Sequence, residues 1–233
     1  MTFINKTLTI FAMLITFSIY VPAQELEYKM ELGGMLGGSF YMGDANYTTP
    51  FKNLGFAGGV IGRYIFNPHM AIKADFAMGR ISGNTKDFKN AYPGNQQSSF
   101  KRSIFDLGAQ FEYNFLGYGT GEGYRGSKRF TPYILGGFGF TFAPAPAKAV
   151  FTVNLPIGVG VKYKLAKRLN IGCEFTMRFS LSDQLDVTNK NGLQLNNPYG
   201  IKGSGLKNKD SYSFTTVFIT YDLFPKYRKC NNL

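Results

Sequence analysis

The chain has 233 residues and a formal charge of +12, with 23 Phe, 15 Tyr, 28 Gly and no Trp. Aromatic residues and glycine favour twisted sheet over helix, and no long stretch carries apolar residues at helical spacing, which excludes a mainly helical fold. One histidine and two cysteines leave little material for metal or nucleophilic chemistry.

Lys6 precedes an uncharged run, residues 7–21, that ends in Val21-Pro22-Ala23. A basic start, an apolar centre and a small-residue exit are the layout of a secretory signal peptide, cut before Gln24. The alternative, an uncleaved membrane anchor, is disfavoured by the shortness of the run and its cleavage-type boundary. The expected organisation is a signal peptide at 1–23, a barrel at 24–224 and a basic tail at 225–233. No second uncharged apolar stretch reaches the roughly 20 residues that a transmembrane helix needs, so any membrane span must be made of strands. An exported basic chain meets lipid phosphates, lipopolysaccharide and acidic proteins rather than nucleic acid.

Eight segments then read as strands, because a strand sends successive side chains to opposite faces. The first, 28–42, puts Met30, Leu32, Leu36, Phe40 and Met42 on one face and Lys29, Glu31, Ser39 and Tyr41 on the other. The second, 55–66, sets Phe56, Val60, Tyr64 and Phe66 against Arg63, and ends at the turn signal Asn67-Pro68. The third, 71–81, sets Ile72, Ala74, Phe76 and Met78 against Lys73 and Asp75. After a polar loop, 82–102, the fourth strand, 103–115, alternates most cleanly: Phe105, Leu107, Ala109, Phe111, Tyr113 and Phe115 against Asp106, Gly108, Gln110, Glu112 and Asn114.

A glycine-rich connection, 117–129, leads to the fifth strand, 130–142, with Ile134, Phe138, Phe140 and Phe142 on its apolar face. The sixth, 152–165, alternates Leu155, Ile157, Val159, Val161, Tyr163 and Leu165 with Gly158, Gly160, Lys162 and Lys164. The seventh, 169–181, sets Ile171, Cys173, Phe175, Met177 and Phe179 against Asn170, Glu174, Thr176, Arg178 and Ser180. A second polar loop, 182–210, precedes the last strand, 211–224, both of whose faces are apolar, so its orientation stays open.

The charged face carries a few groups of both signs per strand, mixed with Gly, Ser and Thr, whereas the opposite face is nearly free of charge. A soluble barrel should show the reverse, an apolar interior and a charged exterior. An all-β, eight-stranded, antiparallel transmembrane up-and-down barrel of the outer-membrane type is therefore expected. Its lumen has room only for side chains, with Arg63, Lys73, Asp75, Asp106, Glu112, Lys162, Glu174 and Arg178 neutralising one another. The longer connections follow odd strands, which puts both termini on the periplasmic side; 117–129 is the long exception among the periplasmic turns.

Catalytic motifs are thin, and no cofactor or metal site is expected. His69 sits beside Pro68 and reads as a turn residue. Asp183 and Asp186 offer acid–base or cation chemistry, against which stands the simpler role of capping loop amides. Cys173 falls on an apolar strand face and Cys230 in the polar tail, an arrangement that favours two unpaired thiols over an internal disulfide and leaves Cys230 able to bridge to another protein.

Several short motifs together resemble the PorG-like family, small outer-membrane barrels of the type IX secretion apparatus of Bacteroidetes. They are the early Glu31-Leu32-Gly33-Gly34 strand, the Asn67-Pro68-x-Met70 turn, the Tyr133–Gly137 and Leu155–Lys162 strands, and the Asp183-x-Leu185-Asp186-Val187-Thr188 segment. In the last, PorG-like chains typically carry two adjacent aspartates where this one has Leu185-Asp186-Val187. The resemblance implies a non-enzymatic role: anchoring the periplasmic ring of the secretion and gliding machinery to the outer membrane. The contact surface it implies comprises Arg125, Lys128, Arg129, Lys226, Arg228, Lys229 and Cys230, with an intermolecular disulfide through Cys230 and with lipid and lipopolysaccharide around the wall. The alternative function is adhesion or envelope stability of the OmpX/OmpW kind, acting through the outside loops.

Overall fold

The computed structural model describes residues 27–42, 51, 53–84, 99–119, 127–144, 149–182, 185 and 209–226. The expected signal peptide, 1–23, and most of the expected tail, 227–233, lie outside the described residues. Eight strands follow in order: β1 (Glu27–Met42), β2 (Gly55–Asn67), β3 (Met70–Asn84), β4 (Ser99–Asn114), β5 (Phe130–Ala143), β6 (Val150–Ala166), β7 (Leu169–Ser180) and β8 (Ser211–Lys226). Each pairs antiparallel with its chain neighbour, and β1 closes on β8, so the sheet has no open edge. All eight expected strands are present. β4 starts earlier than its clean alternation suggested, and β8 continues through Pro225 and Lys226 into the stretch read as tail, opposite Tyr28 and Glu27 of β1.

The alternation of each strand becomes the two sides of the wall. Val60, Leu107, Val159 and Ile219 expose 55, 56, 55 and 52% of their surface, whereas Lys73, Asp106 and Glu112 expose none. In water such a belt of apolar side chains would be a large uncovered patch. Against hydrocarbon it is the stable face, and the interior charges need only find each other. The fold is thus the outer-membrane type of barrel, not the soluble one.

The orientation of β8, open in the sequence, is set by space. Tyr212, Phe214 and Phe218 point inward, and Val217, Ile219 and Tyr221 outward. The inward rings fit because the facing positions are glycine: a Cβ at Gly79 would lie 2.6 Å from the Phe214 ring, and one at Gly172 would lie 2.4 Å from the Phe218 ring.

Two expectations for β1 need correcting. Alternation sets Lys29 on the polar face with Glu31, but it lies at the end of the barrel and is exposed, because the lumen ends before reaching it. Phe40 faces the outer wall as expected, yet it is 1% exposed. Phe51, from the connection between β1 and β2, folds down onto it with ring centroids 4.8 Å apart, and Phe175 of β7 flanks Phe40 at 6.3 Å.

An arginine at the middle of the lipid face should be costly in this fold and mild in a soluble one. Val159→Arg is expected to make folding into lipid vesicles less favourable by about 2–4 kcal/mol, measured by urea titration. A change within experimental error would contradict the lipid-facing wall.

Candidate functional site

The barrel has two ends. At the base, β1 begins, β8 finishes and the turns are mostly short; at the mouth, the longer connections gather. Between them the lumen is filled by ionic and hydrogen-bonded clusters, built from inward positions of all eight strands.

Its middle is organised by Arg63 of β2. Nε donates to Glu112 Oε1 at 2.7 Å, Nη1 to Glu31 Oε2 at 3.3 Å, and Nη2 lies 3.8 Å from Glu174 Oε2. Lys162 completes Glu112 at 3.2 Å, Lys73 pairs with Glu174, and the Tyr133 hydroxyl donates to Glu174 at 2.7 Å. Three cations thus meet three carboxylates in a neutral cluster, and the Phe218 ring covers Arg63 with its centroid 4.3 Å from the guanidinium carbon.

Toward the mouth, Arg178 bridges Asp106 and Asp75, the latter at 2.5 Å. Gln110 donates to Asp75 at 2.6 Å, and Asp106 also accepts from Asn154 at 2.9 Å, from Thr141 at 3.3 Å and from Tyr212. All eight charged residues read from sequence as lumen filling lie in these two clusters. Three ionic partners were not on that list. Glu31 and Lys164 share the polar parity of their strands, which was a usable signal; Asp222 sits on the strand whose faces could not be told apart.

The base is closed by a residue the sequence reading missed. The connection after β4 turns back so that Tyr118 enters the barrel end, 8% exposed, and its hydroxyl donates to Asn170 at 2.7 Å. Asn170 donates in turn to Asp222 at 2.6 Å, which pairs with Lys164 at 2.5 Å. Lys162 and Lys164 approach the Tyr118 ring at 4.9 and 5.5 Å. Burial pushes the Tyr118 phenol far above its ordinary pKa, so it stays a protonated donor. The Tyr118 amide bonds to Pro68 and Lys128 bonds back to Gly117, which fastens this connection to the β2–β3 turn.

The mouth is closed by a latch. Arg102 donates to the carbonyls of Ala143, Pro144 and Leu185 at 2.8, 3.2 and 3.3 Å. Tyr41 donates to Asp210, whose other oxygen accepts the Leu185 amide at 2.8 Å, and the Leu185 side chain is fully buried, part of the same apolar cluster as Phe100, Ile104 and Phe214. Sequence pattern alone ends the polar loop at Arg102; in the structure Arg102 belongs to β4 and points inward.

Of the expected partner-binding residues, Lys128 and Arg129 are exposed at the base, and Lys226 ends β8 at the same end. Arg125, Arg228, Lys229 and Cys230 lie outside the described residues, as do Asp183 and Asp186. His69 occupies its turn, with its Nδ1 2.9 Å from the Asn114 carbonyl and its ring 6.3 Å from that of Tyr113. Cys173 is a free, exposed thiol on the outer wall. Among the described residues no group of His, Cys, Asp and Glu converges as a metal site.

Removing one member of the central cluster leaves buried charge unpaired. Glu112→Gln is expected to lower stability by about 3–5 kcal/mol, measured by urea unfolding in micelles. Adding Lys162→Met should return part of the loss by removing one of the two stranded cations; a loss in the double variant equal to the sum of the Glu112→Gln and Lys162→Met losses would show that the pair is not coupled.

Solved structures of similar fold include neisserial surface protein A, with a TM-score of 0.50 at 11% identity over 83% of this chain and 97% of that one. Others are OprG of Pseudomonas aeruginosa, at 0.46 and 13% over 86% and 98%, and Ail, the attachment invasion locus protein of Yersinia pestis, at 0.44 and 12% over 86% and 100%. These identities speak to the barrel fold alone. No curated protein matches in sequence. A family match does extend along almost the whole chain, residues 6–232, and by it this protein belongs to the family described as "Domain of unknown function (DUF6089)".

Proposed function

We propose that this protein is a non-enzymatic, non-conducting anchor in the outer membrane, with its base in the periplasm, and that the base docks periplasmic proteins. The observation that carries this reading is the seating of Tyr118. A tight turn would be enough to join β4 to β5, yet the chain spends 115–129 on the connection and fastens it in the barrel end through Tyr118. The fastened connection presents Lys128 and Arg129, both exposed, on a fixed support. With the lumen filled and its charges paired, chemistry toward other molecules is left to the two ends and the wall.

The partners proposed are the ring proteins of type IX secretion and gliding, the role implied by the PorG-like resemblance. Acidic surfaces would meet Arg125, Lys128, Arg129, Lys226, Arg228 and Lys229, and Cys230 would form a disulfide with the partner. A second reading, adhesion or envelope stability through the outside loops, is favoured by the latch at the mouth, because Arg102 and Asp210 tie three loop segments into one support.

Deleting residues 227–233, or Cys230→Ser alone, should weaken cross-linked capture of a periplasmic partner several-fold while leaving the heat-modifiable folded barrel unchanged. Lys128→Glu with Arg129→Glu should do the same through charge reversal. Undiminished capture in all three variants would refute docking at the base. Loss of function on replacing 85–98 and 186–208, which spares the strands and the latch, with secretion and the heat-modifiable barrel intact, would establish the second reading instead.

A further inference from the structure

The β6–β7 turn carries a cation that neither the lumen nor the docking reading uses. Arg168 Nε donates to the Tyr28 hydroxyl at 2.8 Å and Nη1 to the Tyr221 hydroxyl at 3.3 Å, with the guanidinium carbon 5.1 and 6.0 Å from the two ring centroids. Tyr221 and Tyr28 are outward residues on adjoining strands β8 and β1, so the guanidinium is held on the lipid side of the rim, not over the lumen. Among the described residues no carboxylate pairs with it. Lys167, beside it in the turn, adds a second positive charge. Tyr64, Tyr113 and Tyr163 stand exposed at the same end of their strands, an aromatic girdle that marks where hydrocarbon gives way to headgroups.

Above this rim the wall is indented. An apolar groove of about 430 Å³ runs across the outer face between Pro132 and Ile134 of β5, Val159 and Val161 of β6, and Cys173 and Phe175 of β7, and ends at Thr215 of β8. The register relates it to the cation. Leu169 pairs with Tyr221 and Cys173 with Val217, so the near side of the groove lies four residues along β8 from Tyr221, roughly 13 Å at about 3.3 Å per residue. Ile171 and Ile219 bridge the interval with an unbroken apolar surface.

We propose that this face is a binding site for one anionic phospholipid of the leaflet at the base: Arg168 holds the phosphate, and one acyl chain lies in the groove over Cys173. A guanidinium fixed by two phenols at headgroup depth is preorganised for a phosphate diester. A lipid with net negative charge is attracted by the guanidinium as a whole, whereas the positive choline of a zwitterionic lipid offsets that attraction.

The test uses the full chain with Cys230→Ser, purified in detergent and incubated with dioleoyl phosphatidylglycerol, dioleoyl phosphatidylcholine or glycerol 3-phosphate. Native mass spectrometry counts retained lipid, and the rate of Cys173 alkylation by N-ethylmaleimide reads occupancy of the groove. Phosphatidylglycerol should be retained at one per barrel and slow alkylation several-fold; the other two should do neither. Arg168→Ala should lower that retention about tenfold, with Arg168→Lys in between. Thr215→Phe should lower it by obstructing the groove end. Should Arg168→Ala fail to give a heat-modifiable barrel, Tyr221→Phe, which removes one support of the guanidinium, should lower retention several-fold. Equal retention of the two lipids, retention unchanged in these variants, Cys173 alkylation indifferent to phosphatidylglycerol, or glycerol 3-phosphate binding as well as the lipid would each overturn the proposal.

Discussion

An eight-stranded barrel is too narrow to hold a water column and too wide to be left empty, so its interior must be filled by side chains. In this protein the filling is charge. Arg63, Lys73 and Lys162 oppose Glu31, Glu112 and Glu174, and the rest of the lumen is arranged about that balance. Ions buried this deeply gain little net stability over an apolar core, but each is ruinous once its partner is gone. The network therefore fixes which way every strand faces more firmly than it adds to stability. A strand turned over would put Glu112 into hydrocarbon and leave Arg63 without a near carboxylate.

The same balance separates the barrel's interior from its functions. Bonded clusters succeed one another from Asp222 and Asn170 near the base to Asp106 and Tyr212 near the mouth, and Tyr118 and Leu185 lie buried at the two ends. A filled interior puts the contacts with other molecules on the rims and on the wall. Three features there are built rather than incidental: the connection fastened by Tyr118, the latch around Arg102, and Arg168 held between two tyrosines. Each ties a turn or loop to a strand that the ionic core already holds in place.

Period-two alternation made most of this fold legible in the residues. Segments such as 103–115 assign one face to lipid and one to the lumen without reference to any other strand, because the pleat has a fixed period. The eight charged residues assigned to the lumen all follow from that rule, and so could have Glu31 and Lys164. Fold class, strand number and the sign of each face of the first seven strands were determined by sequence alone, because they depend only on local pattern and on the choice between two solvents.

Tertiary structure decided what depends on which strands meet. The orientation of β8 rests on Gly79 and Gly172 leaving room for Phe214 and Phe218, a relation between residues far apart in the chain. Tyr118, Arg102 and Arg168 sit in or beside connections where alternation has stopped, so no local pattern reveals that one plugs the base, one latches the mouth and one lies against the wall. Pairing within the lumen is likewise decided by barrel closure: inward parity places Arg63 among the interior charges, and only the register around the ring brings Glu31, Glu112 and Glu174 to it.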